Sequence, residues 1–155
     1  KKICNLNDFF YPQDYFINWN KIYGKKGFFE VQFLAKERDF VVVLNRISEF
    51  FTKEKVFSTF IIIKKINEKG KYLNYYGKGF SISMDMPINS KFLKTKKFLN
   101  NLFKEFKVKI NFSKDSICDK KTAEKHDEYI KFKKDLNLIN RGRKLNSLFS
   151  NRLRI

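Results

Sequence analysis

Between positions 28 and 34 apolar and polar residues alternate, with Phe29, Val31 and Phe33 on one side and Glu30 and Gln32 on the other. A period of two predicts a strand with one face buried. The same period returns at 80–86, where Phe80, Ile82 and Met84 oppose Ser81, Ser83 and Asp85, and Pro87 closes the run. Elsewhere the period lengthens. Across 38–51, Phe40, Val43, Leu44, Ile47 and Phe51 recur at three-and-four spacing, the stripe of an amphipathic helix, with Asp39 favouring its first turn. Positions 90–106 carry a second stripe, Phe92, Leu99, Leu102, Phe103 and Phe106, with Ser90 as its expected cap. The β-branched and aromatic stretch 56–66 predicts another strand, followed by a turn at 67–70, and 108–112 predicts a fourth. Positions 15–23 predict a short helix ended by Gly24 and Gly27, and helical patterns close the chain at 119–134 and 143–153.

The resulting order, β-α-β-β-α-β with helical additions, predicts an α+β fold: a ferredoxin-like antiparallel sheet with both long helices on one face. The chain divides into a leading segment (1–27), a body of sheet and helices (28–118) and a C-terminal helical segment (119–155). Helices covering the Phe29, Val31, Phe33, Phe80, Ile82, Met84 side leave Glu30, Gln32, Ser81, Ser83 and Asp85 on an open face. A polar sheet face is ordinarily just wet. This one has short hydroxyls on its third strand in place of the Lys, Thr and Glu of a solvated strand, which leaves room for a ligand on the sheet. At the end of the fourth strand, Ser113-Lys114-Asp115-Ser116 crowds a lysine, an acid and two hydroxyls together, where a rigid strand end can hold a reactive group.

Composition narrows the partners. The 155 residues are 43% hydrophobic with 19 phenylalanines, enough for a core, and only two prolines and six glycines argue against long linkers. The formal charge of +18 fits a polyanion partner such as nucleic acid, anionic lipid or a phosphorylated substrate. The lysines are scattered, and Lys, Asn, Ile and Phe are abundant together, as an A/T-rich coding sequence produces; no nucleic-acid partner is expected, while a phosphorylated substrate stays compatible. Cys4 and Cys118 make no metal spacing and no CxxC, so free thiols and no metal site are expected. His126, within Lys125-His126-Asp127-Glu128, is expected on a solvated helix face. No apolar run approaches the ~20 residues of a spanning helix and no signal-peptide pattern is visible, so a cytoplasmic or membrane-peripheral site is expected. The chain begins with Lys and reads as a piece of something longer.

Short boxes along the chain follow the order of one known series. Phe10-Tyr11-Pro12-Gln13-Asp14, then Trp19-Asn20-Lys21-Ile22-Tyr23-Gly24-Lys25-Lys26-Gly27-Phe28, then Gln32-Phe33 resemble F-Y-P-x-D, W-N-x-x-Y-G-x-x-G-F and Q-F. Met84-Asp85-Met86-Pro87 is similar to V/L-D-F-P, Ser113-Lys114-Asp115-Ser116 to A-K-D-S, Asp127-Glu128-Tyr129 to D-E-W, and 147–153 to the closing S-D-x-x-R-R-L. In this order the boxes resemble the C-terminal part of FAD-linked oxidases of the decaprenylphosphoryl-ribose oxidase type. The step M-Y-P before D-E-W is missing here, which shortens the loop after Ser116.

The resemblance implies the substrate-covering, or cap, part of a two-part flavoenzyme, whose separate N-terminal domain grips FAD. It implies oxidation of a sugar hydroxyl to a keto group with hydride passing to the flavin, on a prenyl-phosphoryl ribose that serves as a cell-wall polysaccharide precursor, with an NADH-dependent reductase completing an epimerisation. By the same resemblance Lys114 is the catalytic residue beside flavin and substrate, and Gln32 lies at the substrate. Glu30 stands where the family has a second glutamine, and Ser81 and Ser83 replace an asparagine and a flavin-side cysteine. Lys65 matches the lysine ending the second strand, with Lys64 adjacent if the register slips by one. The chain has no GxGxxG, GxxxxGK or double-glycine loop to hold the FAD pyrophosphate, so tight FAD binding and activity are not expected of it alone.

Two other readings fit parts of the chain. Lys26-Gly27-Phe28-Phe29-Glu30-Val31-Gln32-Phe33 resembles the K-G-F-G-F-V-x-F strand of an RNA-binding RRM, but it falls on strand one instead of strand three, and Glu30 takes the place of a stacking ring. An aldonolactone oxidase-type cap is the other, although the closing H-W-G-K type box is absent.

Overall fold

The computed structural model describes residues 5–7, 17–68, 70, 73–142 and 144–155. Four strands, β1 (Phe28–Lys36), β2 (Phe60–Asn67), β3 (Lys78–Pro87) and β4 (Lys109–Ile110), form one antiparallel sheet in the order β2-β3-β1-β4. Two long helices, α1 (Phe40–Glu54) and α2 (Phe92–Phe106), cross over between strands, and α3 (Lys120–Ala123), α4 (Tyr129–Ile139) and α5 (Leu148–Leu153) follow the sheet. A 3-10 turn, Trp19–Tyr23, precedes it. The architecture is α+β and compatible with a ferredoxin-like fold.

The central pair decides what faces where. β1 and β3 pair along nine positions, from Phe28 opposite Pro87 to Lys36 opposite Gly79. This register sets Phe29, Val31, Phe33 and Ala35 beside Met86, Met84, Ile82 and Phe80, and a slip of one residue would turn that whole set to the other face. Gly79 permits the close approach: a Cβ there would run into the Ala35 carbonyl oxygen. Both long helices lie on the apolar face. Phe29 meets Phe92 of α2 at 4.9 Å, Phe33 meets Phe103 at 4.7 Å, and Phe80 stacks on Phe40 of α1 at 4.2 Å. The two helices are joined by Phe50 stacked on Phe98 at 3.9 Å and by Arg46 donating two hydrogen bonds to Glu105.

Several boundaries differ from the sequence reading, each for a local reason. Lys55 and Lys107 close α1 and α2 in the left-handed region, and the N–H groups of Val56 and Val108 turn back to Phe51 O and Phe103 O. Two β-branched residues thus belong to helix caps. Ser58 and Thr59 bond the Asp85 carbonyl, so β2 begins at Phe60 and not at 56. β4 keeps two residues of the expected five, because the Asn111 N–H pairs with Gln32 O and the chain then turns through Lys114 N to Asn111 O. Ser90 is not the cap of α2; Lys91 holds that position and its N–H bonds Asn89 Oδ1. The pattern at 119–134 is two helices, and the last helix starts only at Leu148, behind a Ser147–Ser150 capping box. Of the expected helix at 15–23, positions 15 and 16 lie outside the described residues, 17 and 18 form a turn, and Trp19–Tyr23 is the 3-10 turn.

His126 is a correction. It sits in the break between α3 and α4, buried, and not on a solvated face. Its Nδ1 accepts the Glu128 N–H, so Nε2 carries the proton and donates to Asn74 O at 2.7 Å. This bond pins the 73–77 loop to the C-terminal segment.

Candidate functional site

Away from the helices, the β1–β3 register places Glu30 opposite Asp85 and Gln32 opposite Ser83. Hydrogen bonds run diagonally between these pairs. Ser83 Oγ donates to Glu30 Oε1 at 3.0 Å, and Gln32 Nε2 donates to Ser81 Oγ at 3.2 Å. Asn111, just past β4, donates to Gln32 Oε1 at 2.6 Å. Ser81 and Ser83 are buried, so the serines form a floor under the longer polar groups.

Lys114 reaches this floor from the end of β4. Its half-exposed Nζ lies 3.0 Å from Glu30 Oε1, the same oxygen that accepts from Ser83. The box that carries it alternates outward and inward. Ser113 folds back onto Asn111 Oδ1, and Ser116 Oγ donates to the Glu30 carbonyl at 3.4 Å. Asp115 points inward with its side chain fully buried; it accepts the N–H groups of Ile117 and Cys118, and Arg152 Nη2 at 2.9 Å. Burial pushes the Asp115 carboxyl above its ordinary range, while Arg152 and the two amides pull it back. Asp115 is thus the anchor of the box and Lys114 its presented group.

A second polar chain adjoins the first. Tyr23 donates to Asp85 Oδ2 at 3.3 Å and accepts from Thr59 Oγ1 at 2.9 Å. Its ring is held by stacking on Phe28 at 4.3 Å, with Trp19 edge-on. Burial raises the Asp85 carboxyl above the usual carboxylate range and Glu30 across the ladder raises it further; the Tyr23 bond and Lys114 act in the opposite direction. Burial likewise raises the Tyr23 phenol. Carboxylates directly opposite on neighbouring strands destabilise a sheet, and the Lys114 ammonium offsets the repulsion between Glu30 and Asp85. Tyr75, in the loop pinned by His126, lies within the field of Lys114 and stacks on Tyr76 at 4.9 Å.

Of the residues singled out from the sequence, the structure brings Glu30, Gln32, Ser81, Ser83 and Lys114 together. Lys65 is a correction. It pairs with Phe80, on the helix side, where its Nζ bonds Glu37 at 3.2 Å and lies 5.8 Å above the Phe80 ring. Strand parity puts Lys64, opposite Ser81, on the open face instead. Sequence reasoning missed Tyr23, Asn111 and Tyr75 as site residues and noted Asp85 only as part of the face and of the Met84-Asp85-Met86-Pro87 box. Asp85 shares the alternation of Ser81 and Ser83, so its signal was present; Tyr23 reaches in from a turn outside every strand, and its one signal was its place in the W-N-x-x-Y-G box. Cys118 is a buried free thiol, pushed up by burial; Cys4 and the Phe10–Asp14 box lie outside the described residues. No helix among the described residues is long and apolar enough to cross a membrane. No protein-family model matches the chain, and no curated protein matches it.

Proposed function

We propose that this chain is the substrate-covering part of an FAD-dependent oxidoreductase that oxidises a sugar hydroxyl of a phosphorylated, prenyl-type sugar lipid, with an FAD-binding domain and an NADH-dependent reductase as its partners. The observation that carries the reading is the meeting of Lys114 and Ser83 on one Glu30 oxygen, on the sheet face opposite α1 and α2. Lys114 comes from a box similar to the oxidase series, Ser83 stands where that series has a cysteine, and Glu30 where it has a glutamine.

The donor set fits one edge of a flavin and not its pyrophosphate. Lys114 offers a positive charge and Ser83 a hydroxyl, while the described residues present no glycine-rich phosphate cradle. When bound, FAD supplies the hydride acceptor. The chain's own residues supply the rest. Glu30 and Gln32 accept and donate hydrogen bonds to sugar hydroxyls from a serine floor too low to obstruct the ring. Asp85, made more basic than an ordinary carboxylate by burial and by Glu30, takes the hydroxyl proton at Oδ2, where Tyr23 already orients it. Lys114 counters the negative charge of both carboxylates and would supply a positive charge beside bound FAD. The two carboxylates also count against an RNA-binding sheet, which presents aromatic rings at that place.

The test is anaerobic bleaching of the flavin by a prenylphosphoryl pentose in the complete flavoprotein. Asp85→Asn, which keeps the Tyr23 contact but cannot take a proton, slows bleaching by about 100-fold or more. Absence of bleaching by any phosphoryl sugar, or an unchanged rate in the variant, overturns the reading.

A further inference from the structure

We propose that the cavity at the end of the sheet, where β1 ends and β3 begins, binds a small, water-soluble diphosphate ester. The cavity measures about 730 Å³, within the range of small-molecule sites. Strand geometry gathers its cations. Lys36 ends β1 and Lys109 opens β4; the pairing of Leu34 with Lys109 puts both on the face that carries Leu34. Lys107, the left-handed cap of α2, and Lys78, at the start of β3, add two more, and Arg38 follows β1. Glu30 and Lys36 are six residues apart on one strand, about 20 Å, so this place is separate from the Lys114 cluster.

The lining holds five cations against two carboxylates, Glu37 and Asp127. Glu37 is already engaged by Lys65 and Lys78, and Arg38 by Asp39. Lys36, Lys107 and Lys109 have no carboxylate within ion-pair distance among the described residues. Converging like charges around a concave wall repel one another and focus a positive field, which a bound polyanion relieves. A diphosphate ester carries one more ionised oxygen than a monophosphate and meets this surplus better. The cavity is larger than a bare diphosphate, so an organic group accompanies it, and Asp127 offers that group an acceptor. Leu34 is the single aliphatic residue of the lining, too little to hold a lipid tail.

Calorimetric titration of the chain at near-physiological salt tests the site, with ADP as the probe and AMP as its control. ADP binds at least tenfold more tightly than AMP. Lys36→Gln/Lys109→Gln weakens ADP at least tenfold, and Lys107→Gln alone, at an exposed cap, weakens it several-fold. Lys53→Gln/Lys97→Gln, which removes the same charge from the helix layer, leaves it within twofold. Equal losses in both double variants mean general attraction to a basic chain and overturn the proposal, as does no binding of ADP. Vesicles of phosphatidylcholine with a phosphoinositide that bind through Lys36 and Lys109, and that ADP does not displace, assign the anion to a membrane headgroup and also overturn it.

Discussion

Glu30 Oε1 accepts from Ser83 and from Lys114 at once, while its carboxylate faces Asp85 across the ladder. Glu30 is therefore one cause of the raised Asp85 carboxyl, after burial. Glu30→Gln removes that charge without removing the oxygen, and Asp85, followed by carbon NMR, titrates at lower pH than in the wild type; an unmoved titration would show that Glu30 does not act on Asp85. His126 gives a second titration. Burial lowers its imidazole below the ordinary value of 6.5, with Lys109 adding to the effect and the Asn74 bond opposing it. Because the unfolded chain takes up the proton more readily, His126 favours the fold fully above that value, and its contribution is lost as pH falls toward the folded value. Urea midpoints therefore drop on acidification from pH 7 to about pH 5, and His126→Gln flattens the drop. At this scale the alternation of strands one and three made Glu30, Gln32, Ser81 and Ser83 legible, because parity alone assigns a face. The same parity excludes Lys65, whose neighbour Lys64 a reading of motifs cannot separate from it. Burial of His126 comes from a loop that closes over it, and charged flanking residues concealed it.

The elements are tied by groups whose partners are remote in the chain. Arg152 of α5 meets Asp115 of the Lys114 box through a buried pair, so the last helix fixes the orientation of the presented lysine. Arg152→Met leaves Asp115 buried without its cation and destabilises the fold by about 3–5 kcal/mol; Asp115→Asn on that background recovers part of the loss, as measured by urea unfolding. Equal stability of the single and double variants contradicts a direct pairing. Helix caps explain why element types were more legible than their ends. Amphipathic stripes identified α1 and α2, but their left-handed caps are lysines, where glycine is the usual signal. Lys55→Gly relieves that backbone and stabilises the chain by about 0.5–1 kcal/mol, after allowing for the greater freedom of glycine when unfolded. β4 was overestimated because hydrophobic Phe112 reads as strand, whereas it packs against His126 and Phe149 beyond the ladder.

At the scale of the whole molecule, one sheet face is filled by helices and the other carries polar groups arranged in adjoining hydrogen-bonded clusters. The order of elements was legible because period two and period 3.6 exchange cleanly along the chain. The basic cavity was not, since Lys36, Lys78, Lys107 and Lys109 are dispersed in sequence and converge only through the register. The central claim is that the open face covers a flavin with Lys114 at the junction with substrate. Stopped-flow reduction of the flavin by substrate, without oxygen, in the complete flavoprotein tests it most directly. With Lys114→Met, which keeps the length of the side chain and removes its charge, reduction slows by on the order of 100-fold while FAD stays bound and the fold intact. Reduction at the wild-type rate in that variant would contradict the account.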